Sequence, residues 1–153
     1  RTMSINAGND AGTALDDLSS ECYRMSQKVT YNTDLANSIL TNLNEERTSL
    51  GLSAVSMDEG SLYRLAQIKC ANMAIDGNAD KNSSLYGTLA QAVSLNNSSE
   101  SCIMTYSSDV DGLHAYLQAK SDSRENRMSA SLSSIAIVVV NRNGYTFVYE
   151  CYN

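Results

Sequence analysis

Proline is absent from this chain, and so is tryptophan; there is a single phenylalanine and a single histidine, His114. The punctuation of the chain therefore falls to glycine, asparagine, aspartate and serine. No apolar run exceeds the stretch Ile135–Val140, far short of the ~20 residues that a membrane-spanning helix needs. Basic residues are in the minority, with 11 Lys and Arg against 17 Asp and Glu and a net charge of -6. Nucleic acid and anionic membrane both call for a basic surface that neutralises phosphates, so neither is expected as a partner. No secretory leader opens the chain, and a start at Arg1 rather than methionine is what a trimmed segment would have. No Gly-x-Ser-x-Gly turn of the kind that presents a nucleophilic serine occurs either.

What is there suits one globular domain. The length of 153 residues and the apolar share of 42% allow a chain to bury roughly two thirds of its unfolded surface. Its four cysteines, Cys22, Cys70, Cys102 and Cys151, lie too far apart in sequence for a zinc pattern, which brings at least two ligands close together. Two disulfides in an exported protein are expected, with four buried thiols as the alternative. Three pairings are possible. The one carried forward joins Cys70 to Cys102 and Cys22 to Cys151, which would tie the leading segment to the last strand.

Residues 1–12 read as a loose tail, and Leu15, Leu18, Cys22 and Met25 as one face of an added helix. Residues 1–32 are thus set apart from a main domain over 33–153. Thr33 is placed as the N-cap of a helix lined by Leu35, Ile39, Leu40, Leu43 and Leu50 and ended by Gly51. The pattern Ser56-x-x-Glu59 reads as a capping box for a second helix, with Leu62, Leu65, Ala66, Met73 and Ala74 buried and Gly77 as its stop. Residues 78–108 are polar around the patch Leu85–Leu95, suggesting loops, a short helix and a strand near Cys102–Tyr106. Asn82, Asn96 and Asn97 fit the glycosylation pattern, a match that chance readily supplies in a Ser- and Asn-rich chain. Ser108 and Asp109 open a helix through Val110, Leu113, Leu117 and Lys120. Ile135–Val140 then reads as a central strand, residues 141–144 as a turn, and Tyr145–Tyr152 as the returning strand with Tyr145, Phe147, Tyr149 and Cys151 on one face. The expectation is an α+β fold: a three-layer α-β-α sandwich around a small antiparallel sheet.

The run Leu43-Asn44-Glu45-Glu46-Arg47, Gly51-Leu52, Leu62, Ala66-Gln67 and Ala71-Asn72-Met73 resembles the opening of bacterial SCP-like domains. These belong to the CAP superfamily (cysteine-rich secretory, antigen 5 and pathogenesis-related 1 proteins). Ser121–Met128 is similar to that family's Ser-x-Gly-His-Arg-x-Asn-x-Leu segment, and Ser134-Ile135-Ala136 and Gly144-Tyr145 to its closing strands. The resemblance spans about residues 34–152 and implies the sandwich and an extracellular or cell-surface, bacterial setting. Members with a metal cleft use two histidines and two acids. Here Ser123 falls where the second histidine would stand and Lys81 or Asn82 near the first, while Glu100 lies where one acid would be, flanked by Ser99 and Ser101.

The cleft expected from this resemblance comprises Glu100, Ser123, Arg124 and Asn126, with Arg124 as a binder of carboxylates or sugar hydroxyls, or as an anchor for its loop. His114 could act as a general base oriented by Asp109 or Asp111, although a half-buried helix histidine is the plainer reading. Asp76, Asn78, Asp80 and Asn82 alternate like the start of a calcium loop. However, Lys81 occupies the turn-glycine position and Gly87 that of the closing glutamate, which favours a simple polar loop. Glu45, Glu46 and Arg47 read from their chemistry alone as a solvated helix face. The function expected is an exported, non-catalytic binding module for a protein, glycan or lipid, without cofactor or metal. A residual hydrolase or a calcium- or zinc-dependent enzyme is the alternative, and a structural spacer of a surface protein the third reading.

Overall fold

Helical spacing in the first half of the chain and two-residue alternation in the last third set the layers. The computed structural model describes residues 24, 26–79 and 99–153. In order it contains α1 (Thr33–Ser49), β1 (Ser56–Met57), α2 (Ser61–Asp76), β2 (Ser99–Thr105), α3 (Val110–Ala119), α4 (Ser121–Arg127), β3 (Ser134–Arg142) and β4 (Tyr145–Tyr152). The strands form one sheet in the order β1-β3-β4-β2. β3, β4 and β2 are antiparallel, as the hairpin pattern predicts, and β1 adds a two-residue parallel pairing to β3. The sheet is therefore mixed.

Alternation along β4 divides the core in two. Phe147, Tyr149 and Cys151 face α2, where they meet Leu62, Ala66, Cys70, Met73, Cys102, Ala136 and Val138. Val148 and Tyr152 face the other way, toward Ile39 and Leu43 of α1 and Leu113 and Leu117 of α3. Among the described residues one helix thus covers one face and three cover the other, an α-β-α sandwich. Asn143 (φ 53°) and Gly144 (φ 81°) form the tight turn of the β3–β4 hairpin, where positive φ at both positions suits Asn-Gly. The turn is shorter than residues 141–144, because Asn141 and Arg142 still pair with Thr146 and Tyr145.

Several local expectations are corrected. The N-cap of α1 is Asn32, whose Oδ1 accepts from the Leu35 amide at 3.1 Å, and Thr33 is the first helical residue. Leu50 is 64% exposed rather than on the buried stripe. Ser56 does not cap α2: it pairs with Ser134 in β1, and the Asp58 amide continues that ladder to the Ile135 carbonyl at 2.7 Å. Asp58 Oδ1 instead accepts from the Gly60 amide at 2.8 Å just ahead of the helix, and Gly77 (φ 74°) ends it as expected. Asp109 does cap α3, accepting from the Gly112 amide at 2.9 Å.

Arg47 is the largest correction in the first helix. Its side chain is buried, not solvated. Nε donates to the Ser53 carbonyl at 2.8 Å, and Nη1 donates to the Arg127 and Ser129 carbonyls at 2.7 and 2.9 Å. Asn44 makes a second clamp, donating to the Val55 carbonyl at 2.9 Å and accepting from its amide at 2.8 Å. Ahead of α1, Tyr31 bridges Val140 and the Asn32 amide donates to the Val139 carbonyl at 2.8 Å, so residues 31 and 32 are stitched to β3. The added helix at Leu15–Met25, the patch Leu85–Leu95 and the glycosylation motifs lie outside the described residues.

Cys70, Cys102 and Cys151 are buried thiols, not disulfides. This corrects the Cys70–Cys102 bridge and removes Cys151 as a partner for Cys22, which lies outside the described residues. Cys70 packs against the strand backbone, its Sγ 3.6 Å from both the Val138 and Phe147 carbonyls.

Candidate functional site

Glu100 is the second residue of β2, and alternation turns its side chain to the α2 face. There it meets Lys69. On α2, residues 62, 65, 66, 69 and 73 fall on one helical stripe, so Lys69 enters the core among Leu62, Leu65, Ala66 and Met73. Its side chain is only 2% exposed, against 26% for Glu100. Lys69 Nζ lies 2.6 Å from Glu100 Oε2, the Tyr149 hydroxyl donates to that same oxygen, and the ammonium stands 5.6 Å from the centre of the Tyr149 ring. A long cation seated over an aromatic ring and capped by a carboxylate satisfies the conditions under which a lysine can be buried at all. Cys151 lies opposite Glu100 in the strand register. Burial pushes its thiol up, while the Lys69 charge pulls the other way.

The remaining residues expected in the cleft lie on α4. Ser123 is wholly buried, with no hydrogen-bond partner for its Oγ among the described residues, and its amide donates to Asp122 Oδ1 at 2.8 Å. Arg124 is exposed, and Asn126 donates back along the helix to the Asp122 carbonyl at 2.8 Å. Ser123 lies one turn from Arg127, which reaches the face of the sheet opposite α2. Glu100 and Ser123 therefore occupy opposite sides of the sheet. Of the calcium-like loop, Asp76 and Asn78 are exposed, whereas Asp80 and Asn82 lie outside the described residues. Among the described residues, no three His, Cys, Asp or Glu side chains gather as a metal-binding group.

A second polar cluster occupies the α3–α4 side. Arg127 Nη1 pairs with Glu150 Oε2, both side chains being fully buried. Arg127 Nε donates to Gln118 Oε1 at 2.9 Å, and Nη2 lies 2.6 Å from His114 Nδ1. A guanidinium can only donate, so Nδ1 is the acceptor and the imidazole proton sits on Nε2. From there it is given to Glu46 Oε1 at 3.0 Å. Gln118 also donates to Glu46, and Tyr152 donates to Glu150 Oε1 at 2.8 Å. His114 is thus half-buried with both ring nitrogens occupied, and neither Asp109 nor Asp111 orients it. Asp109 caps α3, and Asp111 accepts from Asn42 Nδ2 at 2.8 Å.

Lys69, Arg127 and Glu150 were not singled out by the sequence, and Tyr149 was placed only as a residue on one face of the last strand. For Lys69 a signal existed, since it completes the buried stripe of α2. Glu150 likewise falls on the inward side of an alternating strand, beside Val148 and Tyr152.

Compared with solved structures, the chain is similar to an outer surface protein from Borrelia burgdorferi. The match covers 81% of this chain and 96% of that one at 9% identity, with a TM-score of 0.67. It is also similar to a cysteine-rich secretory protein from Staphylococcus aureus, over 80% of this chain and 39% of that one, at 13% identity and a TM-score of 0.58. The chain has an SCP-like fold. No family model and no curated sequence matches it. In this SCP-like sandwich the backbone arrangement carries the likeness, because identities of 9% and 13% leave few shared side chains.

Proposed function

We propose that this chain is an exported SCP-like binding module that works without a metal and without catalysis. The observation that carries the reading is the Lys69–Glu100 pair. In the family this chain resembles, an acid at the place of Glu100 serves a metal cleft with histidines. Here an ammonium buried in the core already occupies that carboxylate, and Tyr149 donates to the same oxygen. A divalent cation brought to Glu100 would meet a like charge within a short distance of a poorly solvated site, where charges interact strongly. Ser123, at the position of a family histidine, offers a hydroxyl rather than an imidazole. The residues present do not fit the metal.

Support for export comes from the neighbours, one described as an outer surface protein and the other as a secretory protein. Among the described residues no helix is long and apolar enough to cross a membrane. The net charge of -6 favours a neutral or basic partner: a protein segment, an uncharged glycan or a zwitterionic lipid surface.

The test is thermal unfolding in EDTA, then with millimolar Zn²⁺ or Ca²⁺. A micromolar site would add about 4 kcal/mol, a rise on the order of ten degrees in a domain of this size. The expected result is a melting curve unchanged by either ion. A shift of that size would overturn the reading and make the metal-dependent enzyme the better account.

A further inference from the structure

Tyr106 follows the last residue of β2, and continuing the β2–β4 register by one step sets it opposite Tyr145. Cross-strand neighbours on one face of a sheet bring their rings together. These two do so closely: the ring centroids are 4.4 Å apart with 28° between planes, and the hydroxyl oxygens are 2.6 Å apart. The oxygens are nearer than the centroids, so the rings converge toward their hydroxyl ends. The ring carbons next to each hydroxyl, the Cε positions, are drawn together with them. Tyr106 is 75% exposed, the most open large hydrophobic side chain among the described residues. Tyr145 is half-buried and leans on Phe147, with ring centroids 6.2 Å apart. Offset stacking alone would explain a packed pair; it does not explain leaving one member in water with its hydroxyl held against the other.

We propose that Tyr106 and Tyr145 form a site of oxidative cross-linking, closing to an intramolecular dityrosine when the protein meets peroxide and a peroxidase. Each tyrosine gives up one electron and its phenolic proton, and hydrogen peroxide takes up both electrons and both protons to become two waters. The two tyrosyl radicals then join by a carbon–carbon bond between their Cε atoms. The hydrogen on each joined carbon moves to the adjacent oxygen, which restores both aromatic rings and both hydroxyls. The protein is two hydrogens lighter and otherwise intact. The two radicals need not diffuse, since the coupling partners are already in contact, and holding reactants in near-attack geometry favours this pairing over collisions between chains. The product is a covalent staple from the end of β2 to the start of β4, beside the turn of the β3–β4 hairpin, enclosing α3, α4 and β3 in a closed loop. Cross-links of this kind stabilise a fold chiefly by restricting the unfolded chain.

The experiment treats the full chain, dilute and folded, with hydrogen peroxide and a peroxidase. It reads dityrosine fluorescence, the intact mass of the monomer and the cross-linked peptide. Expected are a blue-fluorescent monomer lighter by two hydrogens, a peptide joining the segments that hold Tyr106 and Tyr145, and a higher melting midpoint than before treatment. Tyr106→Phe and Tyr145→Phe should each lose the monomeric cross-link, whereas Tyr116→Phe, which removes another exposed hydroxyl, should keep it. A monomeric cross-link that persists in either of the first two variants would overturn the proposal. So would oxidised wild type that yields only joined dimers or no dityrosine.

Discussion

Arg127 and Glu150 form an ion pair in which neither side chain reaches solvent. The pair is not isolated. Glu150 also accepts from Tyr152, and Arg127 donates further to Gln118 and His114. A buried charge is tolerable only when partners satisfy it, and removing one partner strands the other. Glu150→Gln or Arg127→Met should therefore lower stability by about 3–5 kcal/mol, read as a fall in the urea midpoint. Arg127→Met with Glu150→Leu should recover much of that loss, because no charge is then left behind. Additive losses in the double variant would show that the pair is not what holds this region.

Arg47 supplies a different kind of bond. Its guanidinium joins three backbone carbonyls from two separate segments, at Ser53 and at Arg127 and Ser129. The Arg127 and Ser129 carbonyls end α4 and open the following turn, so the side chain serves them as a cap from a distance. Lysine carries the charge but not the planar fork. Arg47→Lys should cost about 2 kcal/mol or more with an unchanged urea m-value. A cost within a few tenths of that of an exposed Arg→Lys change would sink this account.

Elements with strong periodicity were legible. Ile39 and Leu43, Leu65 and Ala66, Leu113 and Leu117, and the alternating Phe147, Tyr149 and Cys151 sit in the core where spacing places them. Asn143-Gly144 gave the hairpin for the same reason. What was not legible is which polar residues go inside. Arg47, Lys69, Arg127 and Glu150 look like surface residues in composition; spacing hints at burial for Lys69 and Glu150, but the partners that make it tolerable are distant in sequence. Glu150 answers Arg127, and Lys69 answers Glu100. The capping-box reading at Ser56 failed because a tertiary pairing with Ser134 competed with a local cap and won. The cysteines misled for a related reason: their number suggested bridges, yet Cys70, Cys102 and Cys151 behave as small apolar residues.

The Lys69–Glu100 pair should respond asymmetrically to mutation. Lys69 is almost fully enclosed, while Glu100 keeps a quarter of its side chain in water. Removing the acid leaves an enclosed ammonium without its carboxylate; removing the lysine leaves a carboxylate that water can reach. Glu100→Ala should thus lower stability by about 3 kcal/mol, and Lys69→Met by less than half as much. Both are measured by chemical denaturation at neutral pH. The reverse order would mean that the ammonium finds water in the folded protein.

The same enclosure sets an alkaline limit. Burial pushes the thiols of Cys70 and Cys151 above their ordinary value of 9.0, and the hydroxyls of Tyr31 and Tyr152 above 10.0. Cys102 adds to the effect at Cys70, and the Glu150 carboxylate adds to it at Tyr152. Each of these groups is neutral when protonated, so the folded state holds its proton at a pH where the unfolded chain has released it. Stability falls with pH wherever the unfolded state binds fewer protons. The contribution is fully present below about pH 9 and is lost progressively as pH rises through the thiol and then the phenol range of the unfolded chain. Urea midpoints should therefore hold steady from pH 7 to 8.5 and drop steeply by pH 10.5. Replacing both thiols, as Cys70→Ala with Cys151→Ala, should move the onset of that drop upward toward the phenol range, even though the double variant starts from a lower stability. An onset that stays where it was would assign the alkaline transition to groups other than these two thiols.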